Sequence, residues 1–126
     1  MRAVLVPSLF LIPLLCSCAV SMDRSDIQAK RLGAPTIAAA EECAGGIDSW
    51  SMPRYPEDAV RSRTEGWVVV EVELSSKGEV LSRRIESEKP IGVFSQSALD
   101  SVDRNSFRTA AGTRTCKMLY MFGLDP

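Results

Sequence analysis

Trp67-Val68-Val69-Val70-Glu71-Val72-Glu73-Leu74, followed by Ser75-Ser76-Lys77-Gly78, carries the plainest structural signal in this 126-residue chain. Val68, Val70, Val72 and Leu74 share one parity and Glu71 and Glu73 the other, which is the alternation of a strand with one face on a core and one toward water. Residues 75–78 then form a hairpin turn, with Gly78 taking the positive φ that such a connection needs. A second strand is expected over 79–87. Val80, Leu81 and Ile85 do not keep one parity, so that strand should carry a bulge or form a twisted edge.

Upstream of the hairpin, Pro56 with Glu57 and Asp58 reads as a helix start, and the spacing predicts a helix over 56–64 that Gly66 stops. Downstream, Pro90 and Gly92 break the chain. Phe94, Ala98 and Val102 then recur at helical spacing with Leu99 beside them, predicting a helix over 94–104 whose apolar stripe lies on the sheet. Residues 115–124 are apolar on both parities through Met118, Leu119, Tyr120, Met121 and Phe122, the pattern of a strand covered on both faces. The order helix-strand-strand-helix-strand implies an α+β, two-layer fold of about 80 residues, a short antiparallel sheet of about three strands packed by two helices.

The N-terminus reads as an address. Met1 and Arg2 give a positive start, and residues 3–15 are apolar but too short to span a bilayer, which takes about 20 residues; Pro7 and Pro13 interrupt them as well. Leu15-Cys16-Ser17-Cys18 resembles a bacterial lipoprotein signal, which implies removal of residues 1–17 and lipidation of Cys18; ordinary secretion is the alternative reading. Ala19, where known sorting rules place Asp for inner-membrane retention, implies the outer membrane by the same resemblance. Residues 18–42 have no apolar periodicity beyond Ile27, Leu32 and Ile37 and read as a lipidated N-terminus and flexible tether reaching about 80 Å, with one helical turn available at 38–43. The folded domain is then 43–126. Processing leaves Cys43 and Cys116, which an oxidising compartment joins as a disulfide; two buried free thiols are the alternative.

Composition narrows the function. A formal net charge of −1 supplies no basic field for a phosphate backbone, which argues against nucleic acid. The chain has no histidine, so it lacks the side chain best suited to proton transfer near neutral pH and the commonest metal ligand. A lipidated or disulfide-bonded cysteine cannot serve as a nucleophile, and two cysteines this far apart make a poor zinc set. Glu71 and Glu73 could be read as a carboxylate pair, but the outer, solvated face of a strand explains them better. The expectation is a binding module without enzymatic activity, cofactor or metal.

Pro53-Arg54-Tyr55-Pro56-Glu57-Asp58-Ala59, followed by Glu65-Gly66-Trp67-Val68-Val69-Val70, resembles the opening of the TonB C-terminal domain family. Gly78-Glu79-Val80 matches its hairpin, Ser87 and Pro90 its exit, Phe94, Ala98, Leu99 and Val102 its helix, and Phe107-Arg108 with Ala110 the start of its last segment. The resemblance spans about residues 53–124. Two positions depart from it: Asn105 stands where the family usually has Trp, and Thr109 where it has Pro. Each matched residue also has a structural task, since Tyr55, Pro56 and Ala59 belong to a helix start, Gly66 and Gly78 to turns, and Trp67 to a sheet face.

The resemblance implies strand addition, in which an exposed sheet edge pairs with an extended peptide of an outer-membrane TonB-dependent transporter. It points to the last strand, and within it to Lys117, Leu119 and Met121. A full energy transducer needs an inner-membrane helix and a long proline-rich linker, and the chain displays neither. The leading expectation is therefore a TonB-like lipoprotein on the periplasmic side of the envelope, bound to a protein or peptide partner. Two alternatives stay open: energy transduction with an uncleaved N-terminal anchor, and a structural lipoprotein that forms a homodimer through its last strand. Whether the last-strand edge is open or covered by residues 43–55 is left open too.

Overall fold

The computed structural model describes residues 22–43 and 46–124. In chain order these form α1 (Arg24–Leu32), β1 (Ile47–Ser49), α2 (Glu57–Arg61), β2 (Gly66–Leu74), β3 (Val80–Lys89), α3 (Ser95–Arg104), β4 (Ser106–Phe107) and β5 (Arg114–Phe122). A three-stranded sheet has the order β3-β2-β5, and β1 with β4 makes a second, two-stranded one. Every pairing between named strands is antiparallel, giving the expected α+β class.

The alternation read at β2 places its side chains as expected. Val68, Val70, Val72 and Leu74 are fully buried, and they meet Phe94, Ala98 and Val102 of the α3 region and Ala59 of α2. From β5 come Cys116, Met118, Tyr120 and Phe122 on the same face. Phe94 stacks on Phe122 with ring centroids 4.3 Å apart, and Tyr55 meets both edge-on at 5.5 and 5.7 Å. Burying a single Val, Leu or Phe side chain contributes roughly 1.5–3 kcal/mol, so this one-sided cluster is what holds the helices on the sheet. The irregular parity of β3 resolves into two bulges. Val69 and Val70 pair with Ser87 and Ile85, leaving Glu86 as the extra residue, and Glu73 and Leu74 pair with Ser82 and Val80, leaving Leu81 exposed.

Several elements differ from expectation. The helix expected over 56–64 is α2, only five residues long: Ser62 caps it, and Arg63 at φ 53° turns the chain away. Gly66 therefore does not stop a helix; it opens β2. Its lack of a side chain is required there, because a Cβ would sit 2.0 Å from the Lys89 carbonyl oxygen and 2.9 Å from the Phe94 ring. Gly78 does take the left-handed φ of 82° in the hairpin, and a Cβ on it would collide with the Phe107 carbonyl oxygen at 2.2 Å. The strands β1 and β4 were not expected, as two or three residues carry no readable alternation. Nor was α1, which lies in the stretch read as a flexible tether; it buries no residue, so no apolar stripe announces it. The signal-peptide and lipidation readings, including Cys18, lie outside the described residues.

Substituting Gly66→Ala forces a side chain against backbone that cannot rotate away, so the loss of stability is expected at or above the top of the ~1–3 kcal/mol range of overpacked sites. Ile91→Ala, at an 87% exposed position, is expected to change stability by less than about 0.5 kcal/mol. Urea unfolding of both variants checks this, and equal midpoints would contradict it.

Candidate functional site

The pairing of β5 with β2 runs without a bulge from Gly66↔Phe122 to Leu74↔Arg114. In such a ladder the backbone groups of successive residues point alternately to one neighbour and to the other. Lys117 sets the phase: its N–H donates to the Glu41 carbonyl at 2.7 Å, and its own carbonyl accepts from the Cys43 N–H at 3.0 Å, both on the side away from β2. Leu119 and Met121, two and four residues on, therefore aim their N–H and C=O groups to that same outer side. Among the described residues these four groups meet no backbone partner. The three residues singled out from sequence thus share one edge, but they are not equivalent: Lys117 is occupied and the other two are open.

What occupies Lys117 is the chain itself. Glu42 forms a parallel bridge to it, and the disulfide between Cys43 and Cys116, with Cα atoms 5.0 Å apart, fixes the segment beside β5. Both cysteines are buried. The edge is accordingly covered in part, by residues 41–43, of which Cys43 belongs to the 43–55 stretch considered from sequence. Two backbone hydrogen bonds contribute about 0.5–1.5 kcal/mol each, whereas ordering three residues costs about 1–2 kcal/mol apiece. The bridge at Lys117 does not hold by itself on these figures, and the covalent link decides it. Closing a loop of this length stabilises a fold by roughly 4 kcal/mol in the chain-entropy account.

Beyond the bridge, α1 stands alongside β5 and leaves a groove of about 280 Å³ between them. Leu119, Met121 and Met118 of β5, Ile47 and Trp50, and Ala29 of α1 are among the residues that line it. Trp50 is half exposed and stacks on Tyr120 at 5.3 Å between ring centroids. A space of this size admits one or two side chains and falls below the usual range of small-molecule sites. Trp50 and Ile47 were not singled out from sequence, and the signal available was a tryptophan in a short segment whose apolar residues follow no period.

Charges fasten both ends of this arrangement. Lys117 Nζ lies 3.0 Å from Glu86 and 3.8 Å from Glu41, and the bond to Glu86 pushes its pKa up, so it stays protonated. At the far end, Arg31 of α1 donates two hydrogen bonds of 2.8 Å to the Glu65 carboxylate, and the Leu124 N–H adds a third at 2.8 Å. The Arg31 bonds first, and that from Leu124 second, lower the Glu65 pKa to about 2. On the outer strand face expected for them, Glu71 takes both hydrogen bonds of Arg84 at 3.0 Å and Glu73 faces Ser82.

The residues of the family-like pattern take structural places. Ala59, Val68, Ala98 and Phe107 are buried, Val80 and Leu99 pack on the core, Pro56 precedes α2, and Trp67 lies opposite Met121 on the outer sheet face. The Tyr55 hydroxyl donates to the Thr64 carbonyl. Asn105, one of the two departures, accepts from the Ser51 N–H at 2.7 Å and donates to the Tyr120 hydroxyl at 3.4 Å, tying the Trp50 segment to β5. Among the described residues no group of three or more His, Cys, Asp or Glu is placed to hold a metal ion, and no helix is long and apolar enough to cross a membrane.

Residues 51–122 match the family described as the Gram-negative bacterial TonB protein C-terminal. The solution NMR structure of the Pseudomonas aeruginosa TonB CTD is similar in fold, with a TM-score of 0.55 at 19% identity over 64% of this chain and 89% of that one. No curated protein matches the chain.

Because the folded pKa of Glu65 lies below its ordinary value of 4.5, its contribution to holding α1 is present above about pH 4.5 and is lost as pH falls toward 2. Amide exchange in α1 is expected to accelerate across that window, ahead of β2. Glu65→Gln should show the faster exchange already at neutral pH. An α1 equally protected in the variant would contradict the role given to this ion pair.

Proposed function

The chain belongs to the TonB C-terminal domain family, and from that premise we propose that it is a non-enzymatic, periplasmic lipoprotein that binds an extended segment of a protein partner by strand addition at the open edge of β5. The observation that carries this reading is the row of outward backbone groups at Leu119 and Met121, left without backbone partners among the described residues and bordered by an apolar groove. An unpaired strand edge is a template for another strand: its N–H and C=O groups supply the attraction, and the groove supplies the choice of side chain. The partner class that the family suggests is an outer-membrane TonB-dependent transporter. The lipid on Cys18 would hold the domain near such a partner, and the N-terminal segment bridges the distance.

In cells, a photo-crosslinking residue placed at Leu119 or Met121 is expected to give adducts with an envelope protein, whereas one at the exposed Val60 gives none. A homodimer as the sole adduct would favour the structural reading, and no adducts from a folded domain would remove the case for docking. Mass spectrometry of the same membrane extract is expected to find the mature chain beginning at Cys18 with lipid attached; a retained 1–17 segment or an unmodified N-terminus would contradict the anchor.

A further inference from the structure

We propose that residues 41–43 are a resident occupant of the β5 edge, clamped there by the Cys43–Cys116 disulfide, so that the state of this bond sets how long an edge a partner strand can use. The inference rests on β5 being the docking edge. Its outward-facing residues are Thr115, Lys117, Leu119 and Met121, by the alternation that the Glu41 and Cys43 hydrogen bonds to Lys117 define. With the disulfide closed, the segment takes both backbone groups of Lys117 and cuts this row in two. Thr115 is stranded on one side. Leu119 and Met121 remain on the other, and a strand rises about 3.3 Å per residue, so the edge accepts an extended segment of only about four residues.

Opening the bond changes this for a local reason. Cys116 immediately precedes Lys117 and Cys43 immediately follows Glu42, so the cross-link acts at the very residues that form the bridge. Apart from it, among the described residues the segment is held to β5 by two hydrogen bonds, by the burial of Cys43 in the core and by the 3.8 Å contact of Glu41 with Lys117, which Glu86 approaches more closely. Once released, 41–43 yields a continuous row from Thr115 to Met121. The chemistry is thiol–disulfide exchange with a dithiol. One of its thiolates attacks a cysteine sulfur, the S–S bond breaks as a mixed disulfide forms, and its second thiol displaces the remaining cysteine; the dithiol leaves as a disulfide, and Cys43 and Cys116 take up its two electrons and two protons. Both cysteines are buried, so exchange follows a local opening of the segment.

The test compares the full chain with its disulfide closed, the same chain reduced with dithiothreitol, and two variants, Cys43→Ser/Cys116→Ser and Cys43→Ala/Cys116→Val. The apolar pair refills the buried sulfur sites and keeps the test open if the serine pair unfolds; slow exchange at Val70 and Val72 reports an intact sheet. The Lys117 amide is expected to exchange at least about tenfold faster when the bond is open. The probe is an acetylated, amidated octapeptide of alternating Thr and Val. In the closed form it should shift the amide signals of Leu119 and Met121 alone, and in the open form that of Lys117 too, binding about 3- to 10-fold more tightly. A Lys117 amide equally protected in both forms overturns the clamp. A footprint and affinity unchanged on opening also overturn it, while docking at Leu119 and Met121 stands. A peptide that shifts no β5 amide in any form overturns the docking reading and this inference together.

Discussion

The unbroken register between β2 and β5 is the constraint on which the rest of the molecule depends. A slip of one residue would turn Cys116, Met118, Tyr120 and Phe122 out of the core and bring Lys117 into it, so burial enforces the pairing that is observed. The same register determines which backbone groups of β5 face β2 and which face outward. Contrast this with β3, whose two bulges absorb irregular side chains without disturbing the central strand. One sheet edge is thus kinked and the other straight, and a straight edge is the better template for a further strand.

An open strand edge is a hazard as well as a site. Here the N-terminal segment manages it with two devices of different strength. At Lys117 the cover is covalent and short, and along Leu119 and Met121 it is a helix that stands off the strand and buries none of its own residues. The helix is fastened in part by the Arg31–Glu65 pair, whose guanidinium is half exposed and therefore screened by solvent and salt. The balance favours a cover that gives way beside the groove and persists at the disulfide. The functional reading follows from that asymmetry.

Much of the fold was legible in sequence because it rests on periodicity. Val68 to Leu74 alternate, Phe94, Ala98 and Val102 recur at helical spacing, and Gly78 marks its turn; each appears in the structure where the pattern placed it. The cysteine pair was legible by elimination. Gly66 was misread as a helix stop because its reason is tertiary, the close approach of Lys89 and Phe94, and nothing local reports that. The helix Arg24–Leu32 was missed because long-range ion pairing holds it in place of an apolar stripe. Lys117, Leu119 and Met121 were rightly placed on one strand, yet sequence carried no sign that one of them was already paired. That distinction depends on where residues 41–43 travel, which only the closed disulfide fixes.

Among the described residues β5 is paired on one side and open on the other at Leu119 and Met121. Residue-resolved amide exchange of the oxidised, partner-free protein tests it most directly, since Met118 and Tyr120 share the same strand and the same solvent but direct their N–H groups to β2. The account predicts alternation along the strand, slow exchange at Met118 and Tyr120 and fast exchange at Leu119 and Met121. Uniformly slow exchange across all four residues would contradict it.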